Sequence, residues 1–200
     1  MTTALNTARY LVRLATPNED EDNDCLCHLR LQKLLYYAQG WHLAATGTPL
    51  FPDRIEAWKH GPVVRSVYPV FKEYRLAIPP TQGSEPAELS ARDRDFIRSI
   101  WERYAEFSAT ALRNMTHRES PWLEARAGST RDESRNAEIT QETMRAFFFP
   151  QLIDTLKQQD PRIDSEKWQA SANAIAAGQV QTAKDIRCEL HRRRAGTDPG

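Results

Sequence analysis

The stretch Leu31-Gln32-Lys33-Leu34-Leu35-Tyr36-Tyr37-Ala38-Gln39-Gly40-Trp41 decides the fold. Leu31, Leu34, Leu35, Ala38 and Trp41 recur at spacings of three and four, the period of an α-helix that buries one face. The pattern predicts a helix from about Leu29 to Ala45. Gly40 inside it costs roughly 1 kcal/mol against Ala, which points to another backbone approaching closely there. Outward from this helix the period stays helical. Thr3 caps a first helix with its apolar face on Leu5, Ala8, Leu11, Val12 and Ala15. Ser90, with Asp93 three residues on, opens a helix facing the core with Phe96, Ile97, Ile100, Trp101, Tyr104 and Phe107. Ser108 starts a short helix to about Met115, and Ser120-Pro121 starts another carrying Trp122, Leu123 and Ala125. Thr140 caps a later helix in which Ile139 staples to Met144 and which meets Phe147, Phe148, Phe149 and Pro150. Two more helices follow, Ser165 to Ala177 and Val180 to Arg193.

Breaks separate these segments. The acidic run Pro17 to Asp24 repels itself and reads as a solvated loop. Ile78 to Leu89, with Pro79, Pro80, Gly83 and Pro86, and the polar run Gly128 to Ala137 are further loops. Gly61-Pro62 marks a break, with Pro62 suited to the first position of a helix. Ser66 would cap a segment with Pro69 in its first turn and Val70, Phe71 and Tyr74 on one face. Ile55 to Lys59 is a possible strand without an obvious mate. The expected class is mainly α: a compact helical domain over residues 1–150, with at most a short β element, and a helical extension over 151–200.

Composition narrows the function. The chain has 200 residues, 27 Lys plus Arg and 27 Asp plus Glu, so zero net charge offers no bulk attraction for nucleic acid or anionic lipid. Three cysteines make no disulfide framework and suit a reducing cytoplasm. No apolar run of about 18 residues predicts a membrane span, and the first residues show no secretory signal. Cys25, Cys27 and His28 are close in sequence, but zinc needs a second pair, and only the distant Cys188 and His191 remain. His60 and His117 are candidate general bases, although a satisfied structural histidine is the commoner case. No phosphate-binding glycine loop, nucleophile elbow or zinc-protease motif occurs. The basic segment His191 to Arg194 reads as a solvated helix end. Eight of the 18 aromatic residues, Tyr36 to Tyr74, fall in one stretch of the chain. They are first of all core, and secondarily the kind of side chain that anchors an interface.

The ordered blocks in this stretch resemble the Panacea (SocA-like) antitoxin domain family. The first block is Leu31 to Gly40, continued by Pro49-Leu50-Phe51, by Ile55 to Val64 with Trp58, His60, Gly61 and Pro62, by Val67-Tyr68, and by Phe71-Lys72 and Tyr74. The second is Ser108-Ala109 and Leu112, then Thr116-His117, Glu119 and Pro121-Trp122. The resemblance extends over roughly Ala4 to Phe149, and Pro69 departs from the usual polar residue. It implies a mostly helical domain that neutralises a cognate toxin by direct protein binding, with no catalytic residue, cofactor or small-molecule substrate. At least one type of member instead delivers its toxin to an ATP-dependent protease, which is the alternative role. Members sit in bacterial chromosomes, prophages and mobile elements. Gln32, Lys33, Tyr36, Tyr37, Gln39, Gly40, Trp58, His60, Gly61, Pro62, Tyr68, Thr116, His117, Glu119, Pro121 and Trp122 are the motif residues that hold the fold or meet the partner.

Overall fold

The computed structural model describes residues 2–15, 26–86, 88–127, 136–160 and 164–176, with 171–176 as backbone alone. Mainly helical architecture holds among them. Helices α1 (Ala4–Leu14) and α2 (His28–Thr46) precede a hairpin, β1 (Ile55–Trp58) and β2 (Gly61–Val64). The short α3 (Tyr68–Phe71), then α4 (Ala91–Tyr104), α5 (Ala109–Thr116) and α6 (Ser120–Ala125) follow. Strand β3 (Glu138–Ile139), α7 (Gln141–Gln159) and α8 (Ser165–Ala176) complete the described chain.

Four caps sit where the sequence places them, but Ser66 does not cap α3: Val67 stands at that position without a side-chain bond, and the Ser66 hydroxyl donates to Asp53 instead. Thr3, Ser90, Ser108 and Thr140 each accept a hydrogen bond from the backbone N–H three residues on. That N–H would otherwise lack a partner in the first turn. Ile139 and Met144, on either side of the Thr140 cap, are both buried in the main core. The α2 helix ends at Gly47, whose φ of 72° lets its N–H reach back to Leu43 O at 2.9 Å.

Helix α2 is the axis of the molecule, and here the structure departs from the one-faced expectation. Every residue from Arg30 to Trp41 is buried. α1, α4, α5, α7 and β2 surround it. Its polar residues are therefore interior groups that must find partners. Gly40 admits a ring rather than a backbone: a Cβ there would lie 2.2 Å from Phe148 Cε2 of α7. Phe148 sits in an aromatic nest, with centroids 5.6 Å from Tyr36, 6.1 Å from Tyr37 and 5.2 Å from Trp41.

Further expectations change. Ile55 does have mates. β1 is the centre of an antiparallel sheet in the order β2-β1-β3, with Ile55 opposite both Val64 and Ile139. Pro62 does not start a helix. It lies in β2, an edge strand, opposite Ala57, and an edge is where a residue without an N–H fits a sheet. Val70 does not line the core beside Phe71 but is exposed, as is Phe107 beyond the end of α4. Helix α7 passes through Pro150, so residue 150 falls inside a helix. Pro150 is on the exposed side, where the carbonyl it leaves unbonded can meet water. The 17–24 segment, most of 128–137, Cys25, the 180–193 helix, Cys188 and the basic tail lie outside the described residues.

Candidate functional site

The two sequence blocks converge where α2 meets the hairpin. Adjacent residues of α2 cover the open edge of β2: Gln32 Oε1 accepts from Val64 N at 2.7 Å, and Lys33 Nζ donates to Pro62 O at 2.8 Å. An edge strand leaves such groups unpaired, and here two helix side chains take the place of a further strand. Pro62 contributes no donor between them. Further along α2, Gln39 holds the segment before β1. Its Oε1 accepts from Leu50 N at 2.9 Å and Phe51 N at 3.2 Å, and its Nε2 donates to Phe51 O at 2.9 Å.

Gly61 opens β2 with a φ of 97°, a conformation open to glycine and strained for other residues. A Cβ there would lie 2.7 Å from Lys33 Cε and 2.9 Å from both Lys33 Nζ and Thr116 Oγ1. Lys33 and Thr116 are fully buried. Burial, and then the Arg113 guanidinium, bring the Lys33 pKa down to about 7.

Other basic groups gather round this ammonium. His60 is in the turn between β1 and β2, Arg113 is on α5, His117 follows α5 and Arg126 follows α6. The His117 ring stacks on Trp122, centroids 4.1 Å apart and planes 11° from parallel. Burial first, then Arg113, Lys33, His60 and Arg126, take its pKa down to about 4. Burial, Arg113, Lys59 and Lys33 lower that of His60. Trp122 Nε1 donates to Trp58 O at 3.0 Å, and Arg126 Nη1 donates to Ala57 O at 3.2 Å. These bonds tie α6 to the end of β1. Pro121, buried in the first turn of α6, sets the start of that helix. Trp58 meets Tyr68 at 4.7 Å between centroids.

Glu119 marks a second polar point. Tyr37 Oη donates to its Oε1 at 2.9 Å, and Tyr36 acts on the same carboxyl. Burial raises the Glu119 pKa, while the two phenols oppose the rise. Burial and then Glu119 raise the pKa of both tyrosines. Glu119 borders a cavity of about 310 Å³ walled by Tyr37, Trp41, Tyr104 and Phe148. Tyr37 and Tyr104 stack at 4.2 Å, and the Arg103 guanidinium lies 4.3 Å from the Trp41 centroid.

The structure thus brings together Lys33, His60, Gly61, Thr116, His117 and Trp122. It places Tyr36, Tyr37 and Glu119 in an adjoining group, and gives Gln32, Gln39 and Gly40 separate structural contacts along α2. Sequence reasoning missed Arg113 and Arg126. Both carried a signal, since Arg113 is one turn before Thr116 and Arg126 one turn after Trp122. Neither histidine has a carboxylate hydrogen-bonded to it among the described residues, the partner a general base would need. Among those residues no group of three or more His, Cys, Asp or Glu could hold a metal.

A family model described as "Antitoxin SocA-like, Panacea domain" matches residues 31–123. Over these residues the chain is similar to the SocA-like Panacea domain. The match begins at the first residue of the α2 block and ends just after Trp122, so it takes in every motif residue named above. It is narrower than the extent of 4–149 read from the sequence. Antitoxin SocA of Caulobacter vibrioides (strain NA1000 / CB15N) is 50% identical over 46 residues. That alignment covers 23% of this chain and 24% of the relative, so the chain spans about a quarter of the length of the curated relative it matches. No solved structure matches. No helix among the described residues is long and apolar enough to cross a membrane.

Proposed function

We propose that this protein is the antitoxin of a toxin–antitoxin pair and neutralises a cognate toxin in the cytoplasm by direct binding. The observation that carries the reading is the Panacea match over 31–123. The geometry adds a division of labour. Gln32, Lys33, Tyr37 and Gln39 bond interior groups, so they specify the scaffold. Trp58, Tyr68 and Trp122 are half-buried and His60 is exposed. Partly exposed aromatic groups on a rigid frame are what a protein interface uses as anchors.

The test is co-purification of the tagged full chain with the product of the adjacent open reading frame, scored with growth rescue. The expected result is a stable complex and restored growth. A neighbouring product that is harmless alone, or growth restored without any complex, overturns direct neutralisation.

A further inference from the structure

The cavity of about 310 Å³ lies where the last residues of α4 meet the middle of α2 and the middle of α7. Its floor is Tyr37, Trp41, Tyr104 and Phe148, all buried. Its mouth is framed by Arg103, Phe107 and Gln151, all exposed. Direct contacts brace the floor. Tyr37 and Tyr104 stack at 4.2 Å, Trp41 Nε1 donates to Tyr104 Oη at 2.8 Å, and Tyr37 Oη donates to Glu119 Oε1 at 2.9 Å. The lining is therefore fixed before any guest arrives, which lowers the ordering cost of binding.

Two groups in this lining are incompletely used. Glu119 Oε2 is buried without a hydrogen-bond partner. Tyr36 stands by the same carboxyl without closing a bond to it, so the phenol of Tyr37 is what holds it. A buried carboxylate bonded by one neutral hydroxyl lacks the cation that would balance it. The other group is the Trp41 indole, over whose ring the Arg103 guanidinium lies at 4.3 Å. Arg103 reaches that ring from an exposed position, and a cation–π contact made from solvent is weak.

We infer that this cavity takes the guanidinium of an arginine presented by a partner protein, which displaces Arg103 from Trp41 and pairs with Glu119. The inference rests on the antitoxin reading and deepens it by naming the chemistry of one contact with the toxin. Each part of an arginine finds its match in the lining. The planar head stacks on aromatic faces and donates to a carboxylate. The apolar stem lies along the rings and the Met115 thioether. Arg103 shows within the fold itself that the Trp41 ring accepts a guanidinium. The volume is at the small end for ligand pockets, which suits one side chain rather than a cofactor. An anionic guest is opposed both by Glu119 and by the negative faces of the aromatic rings.

The test follows the Trp41 indole N–H of the full chain by NMR at pH 7.5, assigned by its loss in Trp41→Phe. Ethylguanidinium replaces sodium at constant ionic strength, and ethylurea, its neutral counterpart of the same shape, is titrated in parallel. The expected result is a saturable displacement by ethylguanidinium and none by ethylurea. In Glu119→Gln, which keeps an acceptor for Tyr37, the apparent affinity falls by about tenfold or more. In Arg103→Ala, at an exposed position, it rises by about twofold or more. No saturable displacement, or an unchanged affinity in Glu119→Gln, overturns the site. Equal displacement by ethylurea overturns the cationic guest. Tighter binding of ethylammonium than of ethylguanidinium overturns arginine in favour of a lysine ammonium. Weaker binding in Arg103→Ala overturns the displacement of Arg103. The titration needs no toxin, so a silent titration leaves the antitoxin reading standing, and a failed co-purification leaves the titration intact.

Discussion

Lys33 Nζ lies 2.9 Å from the point where Gly61 would carry a Cβ. The two residues are far apart in sequence and each is the condition for the other. The bare backbone at Gly61 gives the buried ammonium its place, and the ammonium bonds the next carbonyl along, that of Pro62. Gly61→Ala would add a methyl against Lys33 and Thr116, neither of which has free space, at a φ of 97°. The strain term alone is on the order of 1–3 kcal/mol, and the contact term adds to it. The expected outcome is a loss of more than about 2 kcal/mol in urea unfolding. A neutral variant would show that the hairpin moves freely relative to α2.

The same pair gives a pH dependence. Burial depresses the Lys33 pKa from 10.5 to about 7. Between those values the unfolded chain binds the proton and the folded chain does not, so the Lys33 contribution to stability rises with pH across that window and is flat below it. The tyrosines cap the window, because Tyr36 and Tyr37 stay protonated in the fold above their ordinary value and lose stability at higher pH. Lys33→Met removes the contribution, reducing the slope by up to about 1.4 kcal/mol per pH unit. Denaturation at pH 7, 8 and 9 checks this. Equal slopes in the two proteins would mean that the amine is charged and compensated in the fold.

Much of the fold was legible because its signals are local. Thr3, Ser90, Ser108 and Thr140 each sit next to the amide they cap, so a few residues contain the whole interaction. The sheet was not legible in that way. Ile55 pairs with Ile139, five helices further along the chain, and nothing near Ile55 names that mate. Pro62 shows two rules in competition: the preference of proline for a helix start is local, while its tolerance at a sheet edge depends on which strand lies outermost. The motif residues of the site were visible, but their grouping was not. His60, Arg113 and His117 come together only after α5 docks on α2.

Gly40 and Phe148 form a close joint between α2 and α7. Gly40→Ala would bring helix propensity of about 1 kcal/mol. It would also place a methyl 2.2 Å from the Phe148 ring, and the nest of Tyr36, Tyr37 and Trp41 limits where that ring can go. The clash wins, at about 2 kcal/mol or more of net destabilisation. Phe148→Leu destabilises alone by opening space. The double variant is expected to be more stable than the sum of the two losses implies, a favourable coupling above about 1 kcal/mol. Additive losses would separate the two residues.

Gln39 allows its donor and acceptor roles to be divided. Gln39→Glu keeps an oxygen for the amides of Leu50 and Phe51 but places a second oxygen against Phe51 O, where Nε2 now donates. Gln39→Leu leaves all three backbone groups without their side-chain partner. Each unsatisfied buried group costs about 1–3 kcal/mol. Both variants are therefore destabilised, with amide exchange at Leu50 and Phe51 accelerated in Gln39→Leu. Protection retained at both amides in that variant would show that another acceptor replaces Gln39.

Glu119 is the last group whose sign can be worked out. Its carboxyl is buried and its pKa is raised above 4.5, in spite of the phenols of Tyr36 and Tyr37. The folded chain therefore holds the proton at pH values where the unfolded chain has lost it, and stability falls as pH rises through that interval. Glu119→Gln keeps an acceptor for the Tyr37 hydroxyl, which now bonds Oε1 at 2.9 Å, and removes the charge that burial disfavours. The variant is expected to lie within about 1 kcal/mol of the parent at pH 7 and to lose the fall between pH 4 and pH 7. Glu119→Ala deprives the Tyr37 hydroxyl of its acceptor and loses about 2 kcal/mol or more. Urea unfolding at pH 4 and pH 7 separates these outcomes. A Glu119→Gln variant as unstable as Glu119→Ala would mean that the carboxylate charge itself is held by a cation, and the electrostatic account of the Tyr36–Tyr37–Glu119 group would fall.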